Sequence, residues 1–80
     1  METWSWIVEY KGSIHIAEIN HDTDSGDKTL YLDRELIMED HNEPGHSSVH
    51  KFYIEDLPCL LYIRFMKNHY SYEFKSLQPA

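Results

Sequence analysis

Apolar and polar residues alternate with a period of two through most of this chain, and that alternation favours strands over helices. In Trp4-Ser5-Trp6-Ile7-Val8-Glu9-Tyr10, the side chains of Trp4, Trp6, Val8 and Tyr10 share one face. Lys11-Gly12-Ser13 reads as a turn, because glycine reaches positive φ cheaply. Ile14 to Ile19 returns as a second strand, which makes an N-terminal hairpin. His21 to Asp27 is a polar loop. Lys28 to Leu32 is a third strand, and Asp33-Arg34 a tight turn into Glu35-Leu36-Ile37-Met38. The stretch from Glu39 to Ser48 holds Pro44-Gly45 and almost nothing apolar, so it reads as a long exposed loop. Val49 to Glu55 follows, then a break at Asp56-Leu57-Pro58. Cys59 to Lys67 is the most apolar run and is expected at the centre of a sheet. Asn68-His69 turns into a last strand from Tyr70 to Leu77, and Gln78-Pro79-Ala80 is a short tail.

Seven short strands in eighty residues predict one all-β domain over residues 1–80, a small antiparallel sandwich or barrel. Leu32 to Asp40 is the one segment where a short helix competes. Trp6, Val8, Leu61, Ile63 and Phe65 are the expected core. Both faces of some strands are apolar: Ile7 opposes Trp6 and Val8, and Tyr62 opposes Leu61 and Ile63. A chain this short struggles to cover two apolar faces, so a homo-oligomer formed through a strand edge or an aromatic surface is expected.

Fourteen acids against seven bases leave a net charge of −7 with histidines neutral. Such a surface repels phosphates, which argues against direct nucleic-acid binding and against anionic membranes. It suits solubility in general and, beyond that, a protein partner with a basic surface. A lone cysteine, Cys59, fits a reducing compartment, and Met1-Glu2-Thr3 shows neither the basic nor the apolar stretch of a signal peptide. A cytoplasmic location is therefore expected.

The chemistry-bearing motifs are sparse. Three glycines leave no phosphate-binding loop, and neither a nucleophile elbow nor a paired-cysteine zinc motif is present. Cys59 has no basic neighbour in sequence to lower its pKa and reads as a small buried apolar side chain. His41, His46 and His50 stand in or beside the long loop with Glu39, Asp40 and Glu43. Their spacing matches no fixed metal motif, so they are weak metal candidates and no tight zinc site is expected. Asp22-Thr23-Asp24-Ser25-Gly26-Asp27 has acids at alternate positions like a calcium loop. Its glycine comes one place early, and Asp33 stands where the closing glutamate belongs, so an Asp-rich turn is the better reading. No catalytic residue and no cofactor is expected.

The aromatics carry a wider pattern. The strand Trp4-Ser5-Trp6-Ile7-Val8, the segments around Lys11-Gly12 and Ser25-Gly26-Asp27-Lys28, and the hairpin at Tyr31-Leu32-Asp33 lie in one order with Phe52-Tyr53-Ile54, Leu61-Tyr62-Ile63 and Tyr70-Ser71-Tyr72-Glu73-Phe74. This order resembles the β-sandwich domain of the Fas apoptotic inhibitory molecule family. The resemblance runs over most of the chain. Departures are Arg34, where the family has a glycine after the hairpin aspartate, the single domain where the family has two in tandem, and the histidine-rich loop. It implies a cytosolic, non-enzymatic regulator acting through protein contacts.

Two other functions fit the same residues. One is a small acidic inhibitor, such as a phage-type antagonist of a host defence system, that occupies a basic or nucleic-acid-binding surface. The other is an oligomeric protein that sequesters a small ligand. On either of the protein-binding readings the contact residues are expected among Asp22, Asp24, Asp27, Glu39, Asp40 and Glu43, with Tyr31 as an aromatic neighbour, because the acids cluster in turns that a rigid sheet presents.

Overall fold

A computed structural model describes residues 1–77, and among these every regular element is a strand. The strands are β1 (Glu2–Tyr10), β2 (Ser13–His21), β3 (Asp27–Leu32), β4 (Glu35–His41), β5 (Ser48–Ile54), β6 (Leu57–Met66) and β7 (His69–Ser76). All pairings are antiparallel between chain neighbours. They make a four-stranded sheet in the order β1-β2-β3-β4 and a three-stranded sheet in the order β5-β6-β7. The chain divides after Gly45 into two compact units, one for each sheet. The all-β antiparallel class expected from the alternation is what the structure shows. The short helix that competed over Leu32 to Asp40 is instead the β3–β4 hairpin.

In the first unit, tight two-residue turns set the register. Lys11 and Gly12, with φ of 51° and 79°, close β1 on β2 so that Tyr10 faces Ser13 and Glu2 faces His21. Both φ values are positive, as a type I′ turn requires. Asp33 and Arg34 make the corresponding turn without a glycine, at φ of 51° and 69°. The strain is offset at Asp33, which is tied to β2 three times. Its N–H donates to the Ile16 carbonyl at 2.9 Å, its Oδ1 accepts from the Ile16 N–H at 2.9 Å, and its Oδ2 accepts from His15 Nδ1 at 2.7 Å. The His15 hydrogen bond, aided by the Ile16 N–H, holds the Asp33 carboxyl below its ordinary pKa.

Val8, Ala17, Ile19 and Leu30 are the buried apolar side chains of this sheet. The face they define also carries buried His21 and Lys28, which are register partners. His21 is therefore a strand residue, not the loop residue expected from sequence. Burial, and next the Lys28 charge, push its pKa down. Trp6, expected in the core, is half-buried.

In the second unit, β6 is the central strand, as its composition predicts. Its inward residues Leu57, Cys59, Leu61 and Ile63 are at most 2% exposed, and Phe52 and Ile54 from β5 are buried with them. Phe65, also expected in the core, is half-buried and stacks tilted on Tyr70 at 4.9 Å. The expected break at Asp56-Leu57-Pro58 moves back by one residue. The turn is Glu55-Asp56, with Glu55 at φ 56°, and Pro58 is already in β6. A proline is tolerated there because its missing N–H falls at a strand start, where its carbonyl still accepts from Leu77 at 2.9 Å. The last turn is likewise Lys67-Asn68, and His69 opens β7.

Candidate functional site

The sequence places acids in two segments, Asp22–Asp27 and Glu39–Glu43, and β3–β4 pairing brings these to one end of the four-stranded sheet. Asp27 faces His41 across the two strands, Lys28 faces Asp40, and Thr29 faces Glu39. The expected loop from Glu39 to Ser48 is thus partly strand. Glu39, Asp40 and His41 belong to β4, and the loop proper begins at Asn42. The register that starts at the Asp33-Arg34 turn slips by one residue between Leu30 and Tyr31, where Ile37 has no partner, and it is this shifted register that pairs Glu39, Asp40 and His41 with β3.

The turn itself is built by its acids. Asp22 Oδ1 accepts from the N–H groups of Ser25 at 3.3 Å and Asp24 at 3.0 Å, which together hold the Asp22 carboxyl below its ordinary pKa. The Asp22 N–H donates to the Asp27 carbonyl at 2.8 Å, and the Gly26 N–H to the Asp22 carbonyl at 2.7 Å. Gly26 sits at φ 87° against the backbone of residues 42–44. A methyl group added there would overlap the Asn42 carbonyl and lie within 2.9 Å of Pro44 N and Glu43 C. The two acidic segments therefore form one compact rim, with turn and loop in backbone contact.

His41 lies between two of the acids. Its Nδ1 donates to Asp27 Oδ1 at 3.0 Å, and its Nε2 stands 3.9 Å from Glu39 Oε2. The Asp27 hydrogen bond and charge raise the His41 pKa, so this end gains positive charge on mild acidification. Asn42 Nδ2 donates to Asp40 Oδ2 at 2.9 Å. Asp24, Asp27, Glu39 and Glu43 are exposed, and Asp22 and Asp40 half-buried.

The remaining expected residues fall elsewhere. Tyr31 is two positions beyond Thr29 on the same face of β3. It lines a shallow cleft of about 500 Å³ with Ser5, Ile16, Glu18, Asp33 and Arg34. Four residues of strand separate it from Asp27, roughly 13 Å. Of the metal candidates, His41 is at the acidic rim. His46 and His50 are in the second unit, where His50 Nε2 lies 2.9 Å from Ser48 Oγ. Among the described residues no three histidine, cysteine or carboxylate side chains cluster closely enough to hold a metal ion. Cys59 is fully buried in β6, and burial pushes its thiol pKa up, which makes it a poor nucleophile.

The sequence reading missed a second patch, on the outward side of β5-β6-β7. Arg64 lies 4.8 Å and Lys75 5.6 Å from the Tyr62 ring, Lys51 lies 5.5 Å from the Tyr53 ring, and Arg64 pairs with Glu73 at 2.9 Å. The signal was there in Lys51-x-Tyr53, Tyr62-x-Arg64 and Glu73-x-Lys75, each at strand spacing. It was masked by a net charge taken over the whole chain. Residues 1–45 hold eleven of the fourteen acids and three bases, whereas the rest of the chain holds three acids and four bases. No protein-family model, curated protein or solved structure matches this chain.

Proposed function

We propose that this protein is a non-catalytic interaction module whose acidic rim, formed by the Asp22–Asp27 turn and the Glu39–Glu43 segment, binds a protein partner with a basic surface. The observation that carries this reading is the fusion of the two acidic segments. Gly26 against the Asn42–Pro44 backbone and Asp27 beside His41 make two turns distant in sequence into one presented surface. Tyr31, beside Ile16 in a cleft otherwise lined by polar side chains, supplies an aromatic contact on the same face of β3. On this reading the carboxylates steer encounter, and the aromatic side chain slows dissociation. The likeness to the Fas apoptotic inhibitory molecule family points the same way, toward a cytosolic regulator that works through contacts.

A lysine-rich peptide is the direct probe. Its association should fall steeply as salt rises from about 20 to about 150 mM, because the contact is screened. Exchanging Asp24 and Glu39 for lysine should slow association and remove most of that salt dependence. Exchanging Glu35 and Glu55, both exposed, for lysine alters net charge equally but leaves the rim intact, and should have a much smaller effect. Equal losses from the two double variants would show that the peptide reads net charge alone, and the rim assignment would fall.

A further inference from the structure

Four strands lie at sheet edges: β1 and β4 in the first sheet, β5 and β7 in the second. Three of them carry features that discourage pairing with another chain. β4 follows an irregularity between Leu30 and Tyr31 and bears Glu35, Glu39 and Asp40. β5 bears Lys51, and β7 bears Glu73 and Lys75. β1 differs. Its nine residues pair with β2 in unbroken register from Glu2 to Tyr10, with neither proline nor lysine, and its charged side chains are Glu2 and Glu9 near its two ends.

The backbone direction along β1 follows from the turn. A two-residue hairpin closes on a hydrogen-bonded pair, here Tyr10 and Ser13, so Val8, Trp6 and Trp4 also bond to β2. The N–H and C=O groups of Glu9, Ile7, Ser5 and Thr3 consequently point away from β2. The side chains of these four residues are exposed, Ile7 at 76%, and Ile7 adjoins exposed Ile16 on the neighbouring strand.

We propose that the outer edge of β1 pairs antiparallel with β1 of a second copy, about a two-fold axis at Trp6, which joins two four-stranded sheets into one of eight strands. In this register Ser5 faces Ile7 of the second copy and Thr3 faces Glu9, so all four outward residues bond, with about eight hydrogen bonds across the axis. Charge selects both the direction and the occupant. Glu2 falls opposite Tyr10 and beside Lys11 of the second copy, whereas a parallel alignment would set Glu2 against Glu2 and Glu9 against Glu9. The two Ile7 side chains become diagonal neighbours and extend the Ile7–Ile16 stripe across the axis. The contact is isologous and closes at two copies. It does not use the acidic rim, so the peptide-binding test and this one can fail independently.

Sedimentation velocity over a concentration series decides it, with hydrogen exchange on the same samples. The wild-type chain should be dimeric at high micromolar concentration, and the amides of Thr3, Ser5, Ile7 and Glu9 should gain protection as concentration rises. Ile7→Lys sets two charges together across the axis and should weaken the dimer by about tenfold or more. Ile14→Lys, equally exposed but on the second strand, should leave it unchanged. A monomer at every concentration would overturn the proposal, as would equal weakening by Ile14→Lys, or amides of Ser5 and Ile7 that exchange at the same rate whatever the concentration.

Discussion

Gly26 and Gly12 both occupy the left-handed region, yet they should respond very differently to a methyl group. Around Gly12 nothing lies within contact distance, so Gly12→Ala meets only the backbone cost, about 1 kcal/mol. Gly26→Ala meets that cost and also the Asn42–Pro44 backbone, which cannot move as a side-chain tip can. A loss of about 3 kcal/mol is expected, with chemical shifts disturbed from residues 39 to 45. Equal losses in urea melts would show that turn and loop are not in contact. His41 and His21 make an opposed pair. His41 has a raised pKa, so the stability it contributes is present below its ordinary value of 6.5 and is lost as pH rises through its folded pKa. His21 has a lowered pKa, so its contribution is present above 6.5 and is lost as pH falls toward its folded pKa. Proton titration by NMR should place His41 above and His21 below the ordinary value, and Asp27→Asn should lower His41 alone. The acids themselves were legible in sequence, and so was the turn chemistry of Asp22 to Gly26. The joining of turn to loop was not, because it depends on which residue of β4 faces Asp27.

At the scale of the strands, the period-two pattern identified seven elements in the right order, and the structure shifted their ends by a few residues. The shifts at the tight hairpins share a cause. Every hairpin with a two-residue turn consumes fewer residues than a loop judged by polarity, so Ser13, Leu57, Pro58 and His69 pass from turn to strand. His21 passes too, because its partner Lys28 extends the β2–β3 ladder inward. Polar composition marks residues that tolerate solvent, whereas pairing is set by register, and the two part company at strand ends. Alternation should also be visible in mutational cost along β6. Ile63 is fully buried and pairs with Ser48 and Tyr72 in the middle of its sheet. Ile63→Ala should therefore cost about 2–5 kcal/mol. Ile14→Ala, on an exposed face, should stay within about 0.5 kcal/mol of wild type. Comparable losses from the two in denaturant melts would mean that the sorting of faces is wrong.

For the molecule as a whole, uneven charge is the property with the widest consequence. Eleven acids and three bases lie in residues 1–45, and several of those acids crowd one rim. At low ionic strength the screening length is about 30 Å, wider than the separation of neighbouring charges on a unit of this size, so repulsion among the carboxylates opposes folding. At about 150 mM salt it falls to roughly 8 Å and most of that repulsion is screened. Added sodium chloride should therefore raise the melting temperature. It should also slow amide exchange more within β1 to β4 than within β5 to β7, where acids and bases nearly balance. Asp24→Lys should mimic salt: it removes one carboxylate from the rim, leaves the Asp22 hydrogen bonds to the turn backbone in place, and relieves repulsion at no packing cost because Asp24 is exposed. The variant should melt higher than wild type at low salt, and the two should converge as salt rises. Amide exchange that slows equally in both sheets would show that the repulsion is spread over the whole chain. A variant that melts lower at low salt would show that Asp24 makes a stabilising contact stronger than the repulsion it causes.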